Sequence, residues 1–192
     1  DFGKSSSYEV FWKFLNGDTS LSLSEKYIIW EVRASRIVMG VLIGSMLAVS
    51  GTTLQGMFKN PLATGEAIGL TSGATLLAAI AIVLGHTFEE YLPEIVRNSL
   101  VGVSAFIGAL LAMIIVYRIS TSDGKTNVVM MLLSGVAITS IGFSITGFLI
   151  YISKDEQLRD LTFWNLGSLA AATWTKNIIL TIVLILSYLI IL

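Results

Sequence analysis

Residues 31–74 read EVRASRIVMGVLIGSMLAVSGTTLQGMFKNPLATGEAIGLTSGA. Arg33 and Arg36 open an apolar run over residues 37–57 that holds no Asp, Glu, Lys or Arg. About 20 such residues cross the hydrocarbon of a bilayer as a helix. Placed three apart, the two arginines point to one side of that helix at the membrane surface. Gly40, Gly44, Ala48 and Gly51 then recur at helical steps, a stripe that lets another backbone approach closely in lipid. Beyond Gln55, Asn60 can cap a second helix and Pro61 can take its first position, where a missing N–H costs nothing. Gly65, Gly69 and Gly73 form a second small-residue stripe, and Gly102, Ala105, Ala109 and Ala112 a third. Packing of this kind in consecutive spans predicts a compact bundle.

Outward from that stretch the pattern repeats. Residues 67–85, 99–117, 128–152 and 177–192 are also apolar and free of Asp, Glu, Lys and Arg. The runs are continuous rather than alternating, which predicts helices and not a β-barrel. Only 13% of the 192 residues are charged, about half the fraction usual in a soluble domain, and mean hydropathy is +0.80. The net charge of −1 gives no reason to expect nucleic acid as a partner. Absence of cysteine excludes disulfides, thiolate metal sites and cysteine nucleophiles. The single histidine, His86, reads as a solvated loop side chain rather than a metal ligand.

The shorter segments are amphipathic or polar. Ser6 to Glu9 has capping-box spacing and Gly17 is placed to stop a helix. Residues 8–16 should therefore lie at the interface as a short helix with Phe11, Trp12, Phe14 and Leu15 on its apolar side. Residues 118–126 form a polar loop with Asp123-Gly124 as a turn signal. Residues 153–173 begin charged and continue into Phe163-Trp164 and Gly167-Ser168, too short an apolar stretch to span. Tyr188 to Leu192 is apolar without a polar flank, so the chain is expected to be part of a longer polypeptide.

Three functional classes fit a chain of such spans. One is a secondary transporter or channel, but ion-coupled transporters usually hold Asp, Glu, Lys or His inside the membrane as relays or counter-charges, and these spans hold none. A pathway with passive walls, driven by an external motor, fits better. No P-loop occurs, so the motor's ATPase site belongs elsewhere. A purely structural membrane subunit is the remaining alternative.

The stretch resembles the membrane-embedded permease subunit of ABC importers for iron-siderophore, haem and cobalamin, the FecCD-type permeases. The family pattern appears here as Arg33-Ala34-Ser35-Arg36, Ser50-Gly51, Gln55, Asn60-Pro61-Leu62-Ala63 and Gly73-Ala74. The resemblance covers nearly the whole chain and corresponds to helices two to six of the family's ten. It implies an all-α, polytopic transmembrane helix bundle like that of a type II ABC importer permease. Residues 1–32 would be an extracytoplasmic segment with a short amphipathic helix, and residues 33–192 a partial transmembrane domain of five spans. The implied cargo is a ferric siderophore, with haem or cobalamin as alternatives. The implied partners are a second permease subunit, cytoplasmic ATP-binding subunits, an extracytoplasmic substrate-binding protein and the lipid of a bacterial cytoplasmic membrane. No cofactor, metal or nucleic acid is implied.

By the same resemblance, Arg33 and Arg36 dock the binding protein. Guanidinium groups suit that role because they stay charged and bind carboxylates in bidentate fashion; anchoring to lipid phosphate is the plainer alternative. Asn60, Leu62 and Asn127 match the cytoplasmic gate, although Asn60 is equally a cap. Span four would line the path, with Ser134, Thr139, Ser140, Ser144 and Thr146 as uncharged hydroxyls, Ser134 and Ser144 foremost. Trp164, Gly167 and Ser168 match an outer segment, and Trp164 with Trp174 also suits an interfacial aromatic belt. Ala34-Ser35 stands where the family has Leu-Pro, and Gly65 where it has a second proline. The resemblance places Arg33 and Arg36 outside; the charge bias of the loops, taken alone, prefers the inverse.

Overall fold

The computed structural model describes residues 7–17, 21–85 and 93–191. Ser6, His86 and Leu192 lie outside the described residues. The elements in order are α1 (Ser7–Leu15), α2 (Leu23–Tyr27), a π-helical segment (Ile28–Ala34), α3 (Ser35–Phe58), a 3-10 turn (Glu66–Ile68), α4 (Leu70–Gly85), α5 (Glu94–Ser120), the two-residue strands β1 (Thr121–Ser122) and β2 (Lys125–Thr126), α6 (Val128–Ile152), α7 (Asp155–Leu166) and α8 (Trp174–Ile191). The chain forms two compact units, residues 1–50 with 168–192, and residues 51–167.

Among the described residues, four helical stretches are long and apolar enough to cross a membrane: Leu23–Phe58, Ser99–Ser120, Val128–Ile152 and Trp174–Ile191. The fold is all-α and polytopic, as the apolar runs predict. The second run differs from expectation. Residues 67–85 are not one helix, because Gly69 adopts a left-handed φ of 77° between the 3-10 turn and α4. Helix α4 alone has 16 residues, about 24 Å at 1.5 Å per residue, short of a core of about 30 Å. The 3-10 turn supplies most of the remaining length.

Such a break exposes backbone groups that lipid cannot satisfy, so neighbours must. Here the Glu66 carbonyl accepts from Gly69 N–H (3.1 Å) and from the Thr139 hydroxyl of α6 (3.3 Å), while Leu70 N–H reaches Gly65 O (3.1 Å). Asn60 and Pro61 do not start a helix, contrary to the sequence reading. Asn60 Oδ1 accepts from Leu62 N–H (2.9 Å) and closes a turn that follows Lys59, whose φ is 49°. With no second proline at Gly65, the chain runs on through turns before the helix resumes.

At the entry to the first span, helical backbone is continuous from Leu23 to Phe58, through both arginines. Ala34-Ser35 permits this, since neither residue lacks an N–H. The Ser35 hydroxyl donates to the carbonyls of Glu31 and Val32 as the wide π turns revert to α. The run begins at a capping box: Ser22 Oγ accepts from Glu25 N–H (3.3 Å), and the Glu25 carboxylate accepts from Ser22 N–H (2.9 Å).

In the unit of residues 51–167, helices α4, α5 and α6 pack through glycine. A Cβ on Gly73 would lie 2.5 Å from Gly108 O and 2.6 Å from Ala112 Cβ, and one on Gly142 would lie 3.1 Å from Ser72 Cβ. Gly135 lies against the Ala67 carbonyl. The expected stripes are therefore partly out of register: Gly73 and Ala112 make the contact, Gly108 replaces Ala105 and Ala109, and Gly102 faces open space. On α3, Gly44 and Gly51 also meet nothing within 4 Å among the described residues. Small apolar clusters close the ends of this unit. One holds Phe58, Ala63, Ile68, Val116 and Met131; the other holds Ala79, Val83, Leu149 and Leu161.

Candidate functional site

Arg33 is the penultimate residue of the π segment and Arg36 the second residue of α3; both are exposed. Three contacts join their helix to the start of α8 and the loop before it. Trp30 stacks on Trp174 with ring centroids 4.8 Å apart, and Phe14 of α1 stacks on Trp30 from 6.4 Å. The Asn177 amide Nδ2 donates to the Ser35 carbonyl (2.9 Å), and the Arg36 guanidinium donates to the carbonyl of Ala170 (3.3 Å). Asn177 is 2% exposed. Its Oδ1 and the indole N–H of Trp174 are buried without a partner among the described residues. The sequence carried a signal for this junction in Trp174-x-x-Asn177, one helical turn of polar-tipped side chains at the start of a span. The loop is held further by Ser168, whose Oγ accepts from Ala170 N–H (3.1 Å).

The candidate gate residues Asn60, Leu62 and Asn127 belong to the unit of residues 51–167. Phe58 and Ala63, on either side of the Asn60 turn, are buried in one cluster with Met131 near the start of α6. That cluster brings the Asn60-Pro61-Leu62 turn and the α6 N-terminus to the same end. Asn127 caps α6 there, its Oδ1 accepting from Val129 N–H (2.9 Å) and Met130 N–H (3.2 Å). Leu62 is 82% exposed, held out by a turn rather than packed. The neighbouring hairpin reverses at Asp123 and Gly124, with φ of 51° and 72°, and the Thr121 and Thr126 hydroxyls pair across it (2.9 Å).

Helix α6 has two faces. Met131, Ser134, Gly135, Gly142, Thr146 and Leu149 are buried. Ser134 donates to Met131 O (3.1 Å) and Thr146 to Gly142 O (2.8 Å). The opposite face presents Ala137, Ser140, Ser144 and Gly147, all exposed, with Ser140 and Ser144 donating to carbonyls four residues back. Thr139 lies between the faces and is bonded to the α4 break. After α6, Gln157 anchors α7: its Nε2 donates to Val83 O (3.0 Å) and its Oε1 accepts from Lys154 N–H (3.0 Å). Leu161 is buried beside it. Trp164 is half-buried, and Gly167 ends the helix at φ 72° with its N–H on the Trp164 carbonyl (3.1 Å). Among the described residues, no group of three or more His, Cys, Asp or Glu is placed to hold a metal.

Residues 2–192 match the FecCD transport family. The hemin transport system permease protein HmuU of Yersinia pestis is 35% identical over 173 residues, which cover 90% of this chain and 49% of that protein. The cobalamin import system permease protein BtuC of Halobacterium salinarum is 38% identical over 149 residues, covering 77% and 37% respectively. A solved ABC transporter described as of metal-chelate type, in an inward-facing conformation, superposes with a TM-score of 0.69 at 26% identity. The superposition covers 88% of this chain and 51% of the solved one. The chain thus spans half or less of the length of these curated relatives.

Proposed function

The chain belongs to the FecCD transport family, and from that premise we propose that it is the pathway-forming half of a permease subunit in an ATP-driven importer of bulky metal chelates. The observation that carries this reading is the open face of α6. It offers Ala137, Ser140, Ser144 and Gly147 and no acidic or basic side chain. Hydroxyls already bonded to their own backbone present little binding power, which suits release and passage of a large ligand rather than tight retention. The energy must then come from outside the chain.

In this reading Arg33 and Arg36 face the extracytoplasmic side and receive acidic residues of a substrate-binding protein. The Asn60–Leu62 turn and Asn127 lie at the cytoplasmic end, where an exposed Leu62 would meet its counterpart across a dimer axis. Trp164, Gly167 and Ser168 belong to the outer segment of the chain. A ferric siderophore is the proposed cargo. The relatives' own functions, hemin transport and cobalamin import, support the broader chelate class equally.

The test is docking together with cargo retention. The intact subunit, assembled with ATP-binding partners, is titrated with its purified binding protein, and the chelate held by that protein is identified by mass spectrometry. Reversing both arginines, Arg33→Glu with Arg36→Glu, should weaken docking by about tenfold or more, the scale of losing one partly desolvated charge pair. A double variant that inserts normally and docks with unchanged affinity would remove the arginines from the interface. A binding protein that retains haem or cobalamin in place of a siderophore would reassign the cargo.

A further inference from the structure

In the unit formed by residues 1–50 and 168–192, Arg36 is not the only cation held on the loop before α8. The Lys176 ammonium donates to the carbonyl of Ala171 (2.8 Å), next to the Ala170 carbonyl that takes the Arg36 guanidinium. Two full positive charges from different helices therefore converge on adjacent peptide groups, and both side chains are exposed. Neither has a carboxylate within ion-pair reach among the described residues. Residues 32–65 and 161–192 contain no Asp or Glu at all.

This arrangement works against local stability. Lys176 lies in the first turn of α8, where the helix's own partial positive charge favours an acid and disfavours a cation. Like charges drawn to neighbouring carbonyls repel as well. The carbonyl contacts hold each cation but bring no opposite charge, and departures from local rules concentrate at functional sites. Here the missing element is negative charge. The loop carbonyls hold the two cations in place, so little side-chain freedom would be lost when an acidic surface arrives.

We propose that Lys176 is a third docking cation, which acts with Arg33 and Arg36 to receive an acidic patch on the extracytoplasmic binding protein. The proposal rests on the docking reading of the two arginines and extends it to the start of α8. Lipid headgroups offer a negative charge too, but the choice of a protein surface follows from the fixed, loop-pinned geometry; flexible snorkelling chains are enough for headgroups.

The experiment uses the intact subunit with its ATP-binding partners in phosphatidylcholine nanodiscs, titrated with the purified binding protein. Lys176→Glu should weaken docking about tenfold and flatten its salt dependence, whereas Lys176→Arg should dock like the wild type. Because Glu suits the first turn of a helix, the thermal midpoint of Lys176→Glu should not fall, which separates lost docking from lost folding. Unchanged docking by Lys176→Glu, with docking lost in the Arg33→Glu, Arg36→Glu variant, would overturn the role of Lys176 alone. If all three charge reversals dock normally, the arginine reading fails first. An effect of Lys176→Glu confined to nanodiscs containing phosphatidylglycerol would assign the cation to lipid and overturn the proposal.

Discussion

A Cβ added to Gly108 would fall on the carbonyl of Gly73, and in reverse the distance is 2.5 Å. Backbone cannot retreat the way a flexible side chain does. Gly108→Val should therefore cost about 3 kcal/mol or more, at the upper end for overpacking, and lower the unfolding temperature measured in detergent. Gly44→Ala, facing open space in its own unit, should stay within about 0.5 kcal/mol. Only a close approach distinguishes the two glycines, and sequence spacing does not record one. That is why the stripes on α3 and α5 read alike before the structure and differ in it. Asn177 gives a second contrast. Asn177→Leu removes one interhelical bond, worth about 0.6 kcal/mol in membrane proteins, and also an unsatisfied oxygen. Its net effect on unfolding should be within about 1 kcal/mol, whereas Asn177→Asp buries a charge and should sharply reduce assembled protein.

Elements whose cause is local were legible. Helices α3, α5, α6 and α8 follow from apolar length, Gly17 stops α1 with φ 68°, and Asp123-Gly124 makes the reversal between β1 and β2. Helix α2 was missed although its signal, Ser22-Leu-Ser-Glu25, is the same capping pattern read at Ser6. The break at Gly69 was not legible, because it depends on Ile138 and Thr139 of α6, seventy residues away in sequence. A glycine in a helical run does not by itself mark a break. Gly69→Ala should cost about 1–2 kcal/mol for the left-handed backbone alone, with more from Ile138 Cγ2 at 3.1 Å. Equilibrium unfolding in mixed micelles would measure it, and a cost near zero would show that α4 tolerates a different backbone there. Of the candidate site, Asn127 was readable as a helix start and the arginines as a span entry. The buried Trp174–Asn177 junction and Lys176 were not, since each gains meaning only from the loop or helix opposite.

Orientation belongs to the assembled protein. The docking reading requires Gly124, at the hairpin tip, to face the cytoplasm and Ser168 to face outward, against the charge bias of the loops. These 192 residues carry no cysteine, so single cysteines at the two positions report topology directly. A membrane-impermeant maleimide on intact cells should label Ser168→Cys and spare Gly124→Cys. The gate reading adds a second expectation. Leu62→Gly should raise passive leak of chelate through reconstituted complexes without ATP while leaving docking intact, and unchanged leak in an assembled complex would take Leu62 out of the constriction. The most direct measurement is uptake itself. Vesicles holding the intact subunit and its ATP-binding partner, with loaded binding protein outside, should accumulate chelate only when ATP is enclosed. Ionophores that collapse proton and sodium gradients should make no difference. Accumulation that continues without ATP and stops when those gradients are collapsed would contradict the account.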